Sequence, residues 1–317
     1  MNKRWIGCFV TVGLVLLSLS IGSNDAFSWQ ALFRGKSQAW QLFVESRLPR
    51  TLAIVMTSGA ISLAGLLMQT ITQNPYAAPS TTGTTEASQL GILVSLFLFP
   101  KATLFQKMSL AFCSALLFTG VFLLVLRRMQ FKEKWMLPLV GMIYSGIIGA
   151  LGQALAYHFH LIQSMTSWSQ GSFSMIQRNQ YEWLFLTLLV FLGIWLYSES
   201  FSIMSLGEET SRILGLPYAA LESFALALVA LTSAVTMITV GSLPFLGVIV
   251  PNIVRQISGD YFKKIRLQIV FLGINIVLFC DILARLVIRP YEVSVSLILG
   301  VLGALAFLGM IWKGAEA

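Results

Sequence analysis

Charge is scarce in this chain: 11% of its 317 residues are Asp, Glu, Lys or Arg, whereas 56% are hydrophobic. A soluble domain of that composition would have too few polar side chains to cover its surface. With a mean hydropathy of +0.80, lipid is the expected solvent for most of the chain. Cysteine is nearly absent as well. Cys8, Cys113 and Cys280 are widely separated and sit in apolar runs, which argues against both a disulfide framework and a thiolate metal site. The two histidines, His158 and His160, fit neither an HExxH nor a zinc-finger arrangement and are read as interfacial side chains. No GxxxxGK[ST] loop occurs, so ATP is not bound through a P-loop. No catalytic residue, metal site or cofactor is expected.

What the chain has in abundance is long apolar runs. A helix satisfies its own backbone polar groups in lipid and crosses a bilayer in about 20 residues. A transmembrane barrel would alternate apolar and polar residues instead, and that pattern does not occur. Spans are expected near Trp5 to Ile21, Leu48 to Gln69, Gly83 to Phe99, Met108 to Leu126, Met136 to Tyr157, Trp183 to Tyr197, Ser223 to Val240, Leu243 to Ile257, Leu267 to Leu286 and Val293 to Trp312. These ten form one all-α transmembrane domain over residues 1–317. Lys3 and Arg4 before the first run raise the question of a signal peptide, but no small-x-small cleavage site follows, and the segment is read as a retained first span. The eighth run is short and bracketed by Gly241, Pro244 and Pro251, as expected for a short or broken helix buried among its neighbours.

The net charge is +8, and in a membrane protein anionic lipid, not nucleic acid, is the expected partner for most of it. With both termini cytoplasmic, the inner loops hold Arg127, Arg128, Lys132, Lys134, Lys263 and Lys264 among others. The outer side holds Arg34, Arg47, Arg50, Lys101, Arg285 and Arg289, so its positive charge is high and an acidic partner could dock there. Asn24 to Ser46 carries Trp29, Leu32, Phe33, Trp40 and Phe43 and reads as an interfacial amphipathic helix. The inner loop Ser198 to Glu222 is polar at first. It then reads GEETSRILGLP, in which Glu208, Glu209 and Thr210 start a short helix that Gly215 and Pro217 end. Such a helix is either a docking element or a solvated connector. Glu86 and Asp281 stand out as intramembrane acids, and Asp281 lies four residues before Arg285, where a helix lets the two meet as an ion pair.

Four segments carry a family resemblance: RLPRTLAIVMTSGAISLAGLLMQTITQNPYAAPSTTG from Arg47 to Gly83, SWSQGSF, GEETSRILGLP, and GSLPFLGVIVPNIVR followed by DILARLVIRPYEVSVSLILGVLGALAFL. In order and spacing the chain resembles the FecCD/BtuC-type permeases of binding-protein-dependent ABC importers for iron-siderophores, haem and vitamin B12. The resemblance implies a type II importer permease in a bacterial cell membrane, two permease chains around a central path, two cytoplasmic ABC ATPase subunits that hold the enzymatic activity, and an extracytoplasmic siderophore-binding protein. It places Arg47, Arg50 and Arg285 at the docking surface for that protein. Glu208, Glu209, Arg212, Leu214 and Gly215 then fall on the ATPase-coupling helix, and Gln69, Asn74, Pro75, Pro251 and Asn252 along the path or its gates.

The chain also departs from the family pattern. Asn252 stands where a histidine is usual, Glu292 to Ser296 where Glu-Leu-Pro-x-Gly is usual, and NPYAAP where NPLADP is common. These variants resemble the second permease of petrobactin and catecholate-siderophore importers, which implies a heterodimer in preference to a homodimer. Haem or a corrinoid is the alternative cargo. A stand-alone secondary transporter would need coupling-ion sites and internal repeats, which are not found.

Overall fold

The computed structural model describes residues 3–21, 29–34, 37–129, 136–174, 176, 181–288 and 291–315, and among them there is no β-strand. Ten principal helices follow in order: α1 (Lys3–Ser20), α2 (Leu48–Thr72), α3 (Thr84–Leu98), α4 (Leu104–Arg128), α5 (Met136–His158), α6 (Thr187–Leu196), α7 (Tyr218–Thr239), α8 (Leu246–Ser258), α9 (Phe262–Leu286) and α10 (Val295–Ala315). They coincide one for one with the ten expected spans. Five described stretches are long and apolar enough to cross a bilayer alone, a bent pair forms a sixth, and α1, α3, α8 and α10 supply shorter apolar helices.

Helix α2 is the hub. Its apolar window is 83% buried, against 28% for that of α4 and 22% for that of α5, which places α2 inside the bundle and α4 and α5 at its surface. Its buried side is rich in small residues, Gly59, Ala60, Ala64 and Gly65. Small residues let helices approach closely where lipid supplies no hydrophobic drive to pack them. On α5, Met142, Ile143, Ile147 and Leu151 point outward, as do Leu188, Leu189 and Leu192 on α6. Thr103 caps α4 in a reciprocal capping box with Gln106, starting that helix four residues before the expected span.

The structure differs from the sequence expectation in two places. The segment before α2 is not a separate interfacial helix throughout: the helix Ser37–Leu42 runs through a π-helical turn, Phe43–Arg47, directly into α2. Trp40 stays exposed there, and the rings of Trp29 and Trp40 pack on Phe43. The remainder of the Asn24 to Ser46 expectation, residues 24–28 and 35–36, lies outside the described residues, as do Lys132, Lys134 and Arg289. Second, the polar stretch after α6 is not a loop. It turns by 68° into another helix, Ser198–Met204, which buries Phe201 and Met204. As expected, α8 is short, 13 residues, and it continues through Pro251 without a break.

Candidate functional site

Two irregular segments enter the bundle from opposite ends and meet. The turn after α2 leads to α3, whose first residue, Thr84, bonds Thr119 of α4 hydroxyl to hydroxyl at 2.7 Å. Thr119 lies nine residues before the end of α4, so α3 begins about 13 Å inward of that end. From the other side, residues 240–245 lead into α8. A Cβ on Gly247 of α8 would stand 3.2 Å from Ala78 Cβ and 3.3 Å from Pro79 Cδ. Non-helical backbone at such depth is tolerated where protein buries it or where it lines a path through the membrane. Here a small cavity at the meeting point is lined by the hydroxyls of Ser80, Thr85, Thr232, Ser233, Thr236 and Ser242 together with apolar Ile61, Met237 and Leu243.

All five residues expected along the path fall on this seam. Pro251 has no N–H to give the carbonyl of Gly247 one turn back, and Gly65 closes on that carbonyl so tightly that a Cβ there would lie 2.0 Å from it. Asn252 donates its Nδ2 to the carbonyl of Pro75 at 2.7 Å and to that of Val248 at 2.9 Å, which ties α8 to the turn after α2. Gln69 reaches the same Val248 carbonyl at 3.4 Å, while its Oε1 is buried without a partner among the described residues. Asn74 braces the turn by accepting from the N–H of Tyr76 at 2.9 Å. The C-cap residue Gln73 adopts φ 51°, a left-handed conformation that ends α2.

The three arginines expected at the outer surface are brought together, two of them buried and Arg50 partly exposed. Arg47 is 8% exposed and Arg285 5%. Arg47 donates to the carbonyls of Leu19 and Ser20, and Arg285 to those of Ser18 and Ile21 and to the Ser18 hydroxyl. These carbonyls belong to the end of α1, where no intrahelical donor remains, so two guanidinium groups cap one helix. Asp281, fully buried, accepts from Arg285 through Oδ2 and from Arg50 through Oδ1, and Arg50 also reaches Glu292 at 2.8 Å. The ion pair expected between Asp281 and Arg285 is present. The roles of Arg50, Ser18 and Glu292 beside it come from three other segments, and spacing along the chain gave no sign of them.

At the opposite end, the expected short helix spans Glu208–Ile213. Gly207 and Gly215, at φ 100° and 79°, bracket it with no neighbour within reach of an added Cβ. Ser211 anchors it from below, donating to the carbonyls of Ile203 and Gly207. Glu208 and Arg212 pair at 2.7 Å along its side. Its tip is apolar and uncovered: Ile213 is 85% and Leu214 59% exposed, with Leu206 at 60% beside them. Ile213 contributes more to this surface than any residue singled out from sequence, and its place next to Leu214 and before Gly215 was the available signal.

Residues 10–313 match the FecCD transport family. The chain belongs to that family. Among FecCD relatives, the petrobactin import system permease protein YclN of Bacillus subtilis (strain 168) is 39% identical over 99% of this chain and 98% of its own. The ferric-anguibactin transport system permease protein FatD of Vibrio anguillarum (strain ATCC 68554 / 775) is 35% identical over the full length of both. A solved metal-chelate type ABC transporter in an inward-facing conformation superposes with a TM-score of 0.78 at 25% identity, covering 98% of each chain. A multi-pass helical permease thus accounts for the apolar helices, and FecCD membership accounts for the order of the four sequence segments.

Proposed function

We propose that this FecCD chain is the membrane-spanning subunit of an ATP-driven importer that carries a ferric siderophore, of catecholate type, into the bacterial cell by alternating access. The similarity to the petrobactin permease over nearly the whole of both chains carries the choice of cargo. The mechanism draws support from the seam, where α2 and α8 touch through Gly65 and Gly247 and where irregular backbone lets two halves of the bundle shift against each other. Gln69, Asn74, Pro75, Pro251 and Asn252 act along that path.

Four partners complete the machine in this reading: a second, different permease chain, two cytoplasmic ABC ATPase subunits taken as one pair, an extracytoplasmic siderophore-binding protein and the lipid itself. The chain holds no phosphate loop, so ATP hydrolysis belongs to the ATPase pair. Glu208, Glu209, Arg212, Leu214 and Gly215 fit a groove on the ATPase, with the exposed Ile213 and Leu214 as its apolar anchors. Arg50, the most exposed of the three arginines, receives an acidic side chain of the binding protein, with the buried Arg47 and Arg285 behind it. In the cluster Arg50 and Arg285 hold Asp281, Arg50 also holds Glu292, and Arg47 stands near Arg285, so positive charge exceeds negative and a further acid is attracted. Both termini then face the cytoplasm.

Uptake of radiolabelled ferric chelates by iron-starved cells lacking this chain tests the reading. Loss of catecholate uptake with hydroxamate and haem uptake intact is the expected result. Undiminished catecholate uptake would remove the proposed cargo, and loss of haem uptake alone would replace it.

A further inference from the structure

We infer that Arg266 is a positioning residue that fastens the last turn of α6, from which the arm carrying the coupling helix (residues 198–213) departs, to the first turns of α9. The inference rests on the assignment of Glu208–Ile213 to ATPase coupling.

The chain breaks direction by 68° between α6 and Ser198–Met204. A helix that ends so abruptly leaves carbonyls of its last turn without intrahelical donors. Trp195 supplies one such carbonyl. It accepts from Arg266 Nη1 at 3.1 Å and from the Ser198 hydroxyl at 3.1 Å. The Arg266 guanidinium carbon also stands 3.7 Å from the centroid of the Trp195 ring, well inside cation–π range. One side chain thus grips both the backbone and the ring of the residue at the bend.

Neighbouring residues of α9 grip the arm beyond the bend. Phe262 is buried against Phe201, ring centroids 5.5 Å apart, and Lys263 pairs with Glu199. The second contact is half exposed and easily replaced by water, whereas Arg266 is 8% exposed. The arm is in turn tied to the coupling helix by Ser211 and to the end of α2 by Gln73, whose Nε2 donates to the Met204 carbonyl at 3.2 Å.

The other end of the same helix carries Asp281 and Arg285, in the docking cluster. They lie 15 and 19 residues beyond Arg266, about 22–29 Å along α9. Between them Gly273 seats α9 directly on Ser62 of α2, where an added Cβ would come within 2.1 Å of the Ser62 hydroxyl. One packed helix therefore touches the outer cluster at one end and the coupling arm at the other.

The test uses the intact complex isolated through a tag on this chain and placed in nanodiscs. ATP hydrolysis is read with and without its binding protein loaded with a ferric catecholate, beside the amount of ATPase retained. In Arg266→Ala, ATPase retention and basal hydrolysis should persist while stimulation by loaded binding protein falls about two- to tenfold. Arg266→Lys should fall between, because it keeps a cation near Trp195 but loses the planar fork. Should Arg266→Ala fail to assemble, Trp195→Leu decides, since Trp195 is half exposed and its loss leaves packing largely intact. Reduced stimulation in that variant supports the clamp. Stimulation equal to wild type in the deciding variant, or basal and stimulated rates that fall together with the amount of complex, would overturn it. Loss of stimulation in Ile213→Asp with none in the Arg266 variants would overturn the clamp and leave the coupling assignment standing. Stimulation intact in Ile213→Asp would instead remove the coupling assignment.

Discussion

Arg50 grips Asp281 through two nitrogens, Nε at 3.1 Å and Nη2 at 2.7 Å, across 231 positions of sequence. The pair joins the first turn of α2 to the last turns of α9, and Asp281 is fully buried. A buried charge of this kind is tolerable because its partners surround it, and removing the shared partner leaves two guanidinium groups facing each other in a dry site.

Asp281→Ala should therefore destabilise the permease by about 3–5 kcal/mol. Glu292→Gln, at a partly exposed carboxylate, should cost about 1 kcal/mol or less. Thermal unfolding of the two variants in nanodiscs checks the order, and equal midpoints would contradict it.

Docking should respond to charge at Arg50 in particular. Its side chain is 11% exposed and its Glu292 contact lies at the edge of the cluster, where an incoming acid can compete. Arg50→Glu should weaken binding-protein affinity at low ionic strength, with the difference shrinking as salt rises. Surface plasmon resonance across a salt series measures it. Salt-independent, wild-type affinity would take Arg50 out of the interface.

Glycine positions divide by their surroundings. A methyl on Gly65 would collide with the backbone of Gly247, whereas one on Gly120 of α4 meets nothing within 4 Å. Gly65→Ala should force α2 away from α8 and abolish uptake. Gly120→Ala should leave uptake intact and shift stability by about 0.5–1 kcal/mol in the favourable direction, by restricting the unfolded backbone. The same uptake assay reads both.

At the coupling tip, Ile213→Asp and Leu214→Asp should leave the fold unharmed, because these side chains contribute exposed area and little packing. Both should reduce retention of the ATPase on the purified permease. Full retention would move the ATPase contact elsewhere.

Much of this architecture is legible in the sequence because lipid imposes one rule on it: long apolar runs must be helices. Pro244 marks where α8 can start, and the Asp281–Arg285 pair follows from helical spacing. Long-range partners left no such trace. Nothing near Arg50 points to Asp281 or Glu292, and nothing near Arg47 or Arg285 points to the end of α1. The bend after α6 was hidden for a different reason. Ser198, Glu199 and Ser200 read as the start of a polar loop, and the only hint of a helix was the spacing of Phe201 and Met204, both fully buried. The path residues lay together in sequence as two clusters, Gln69 to Pro75 and Pro251 to Asn252. That they join through Asn252 and Pro75, 177 positions apart, needed the fold.

The most direct test of the account is ATP-dependent accumulation of a radiolabelled ferric catecholate in proteoliposomes that contain this chain, its permease partner and the ATPase, with loaded binding protein outside the face bearing Arg50. Uptake should require ATP, the binding protein and an intact Ile213–Leu214 tip together. Accumulation without ATP or without the ATPase subunits would contradict it and would point instead to a carrier driven by an ion gradient.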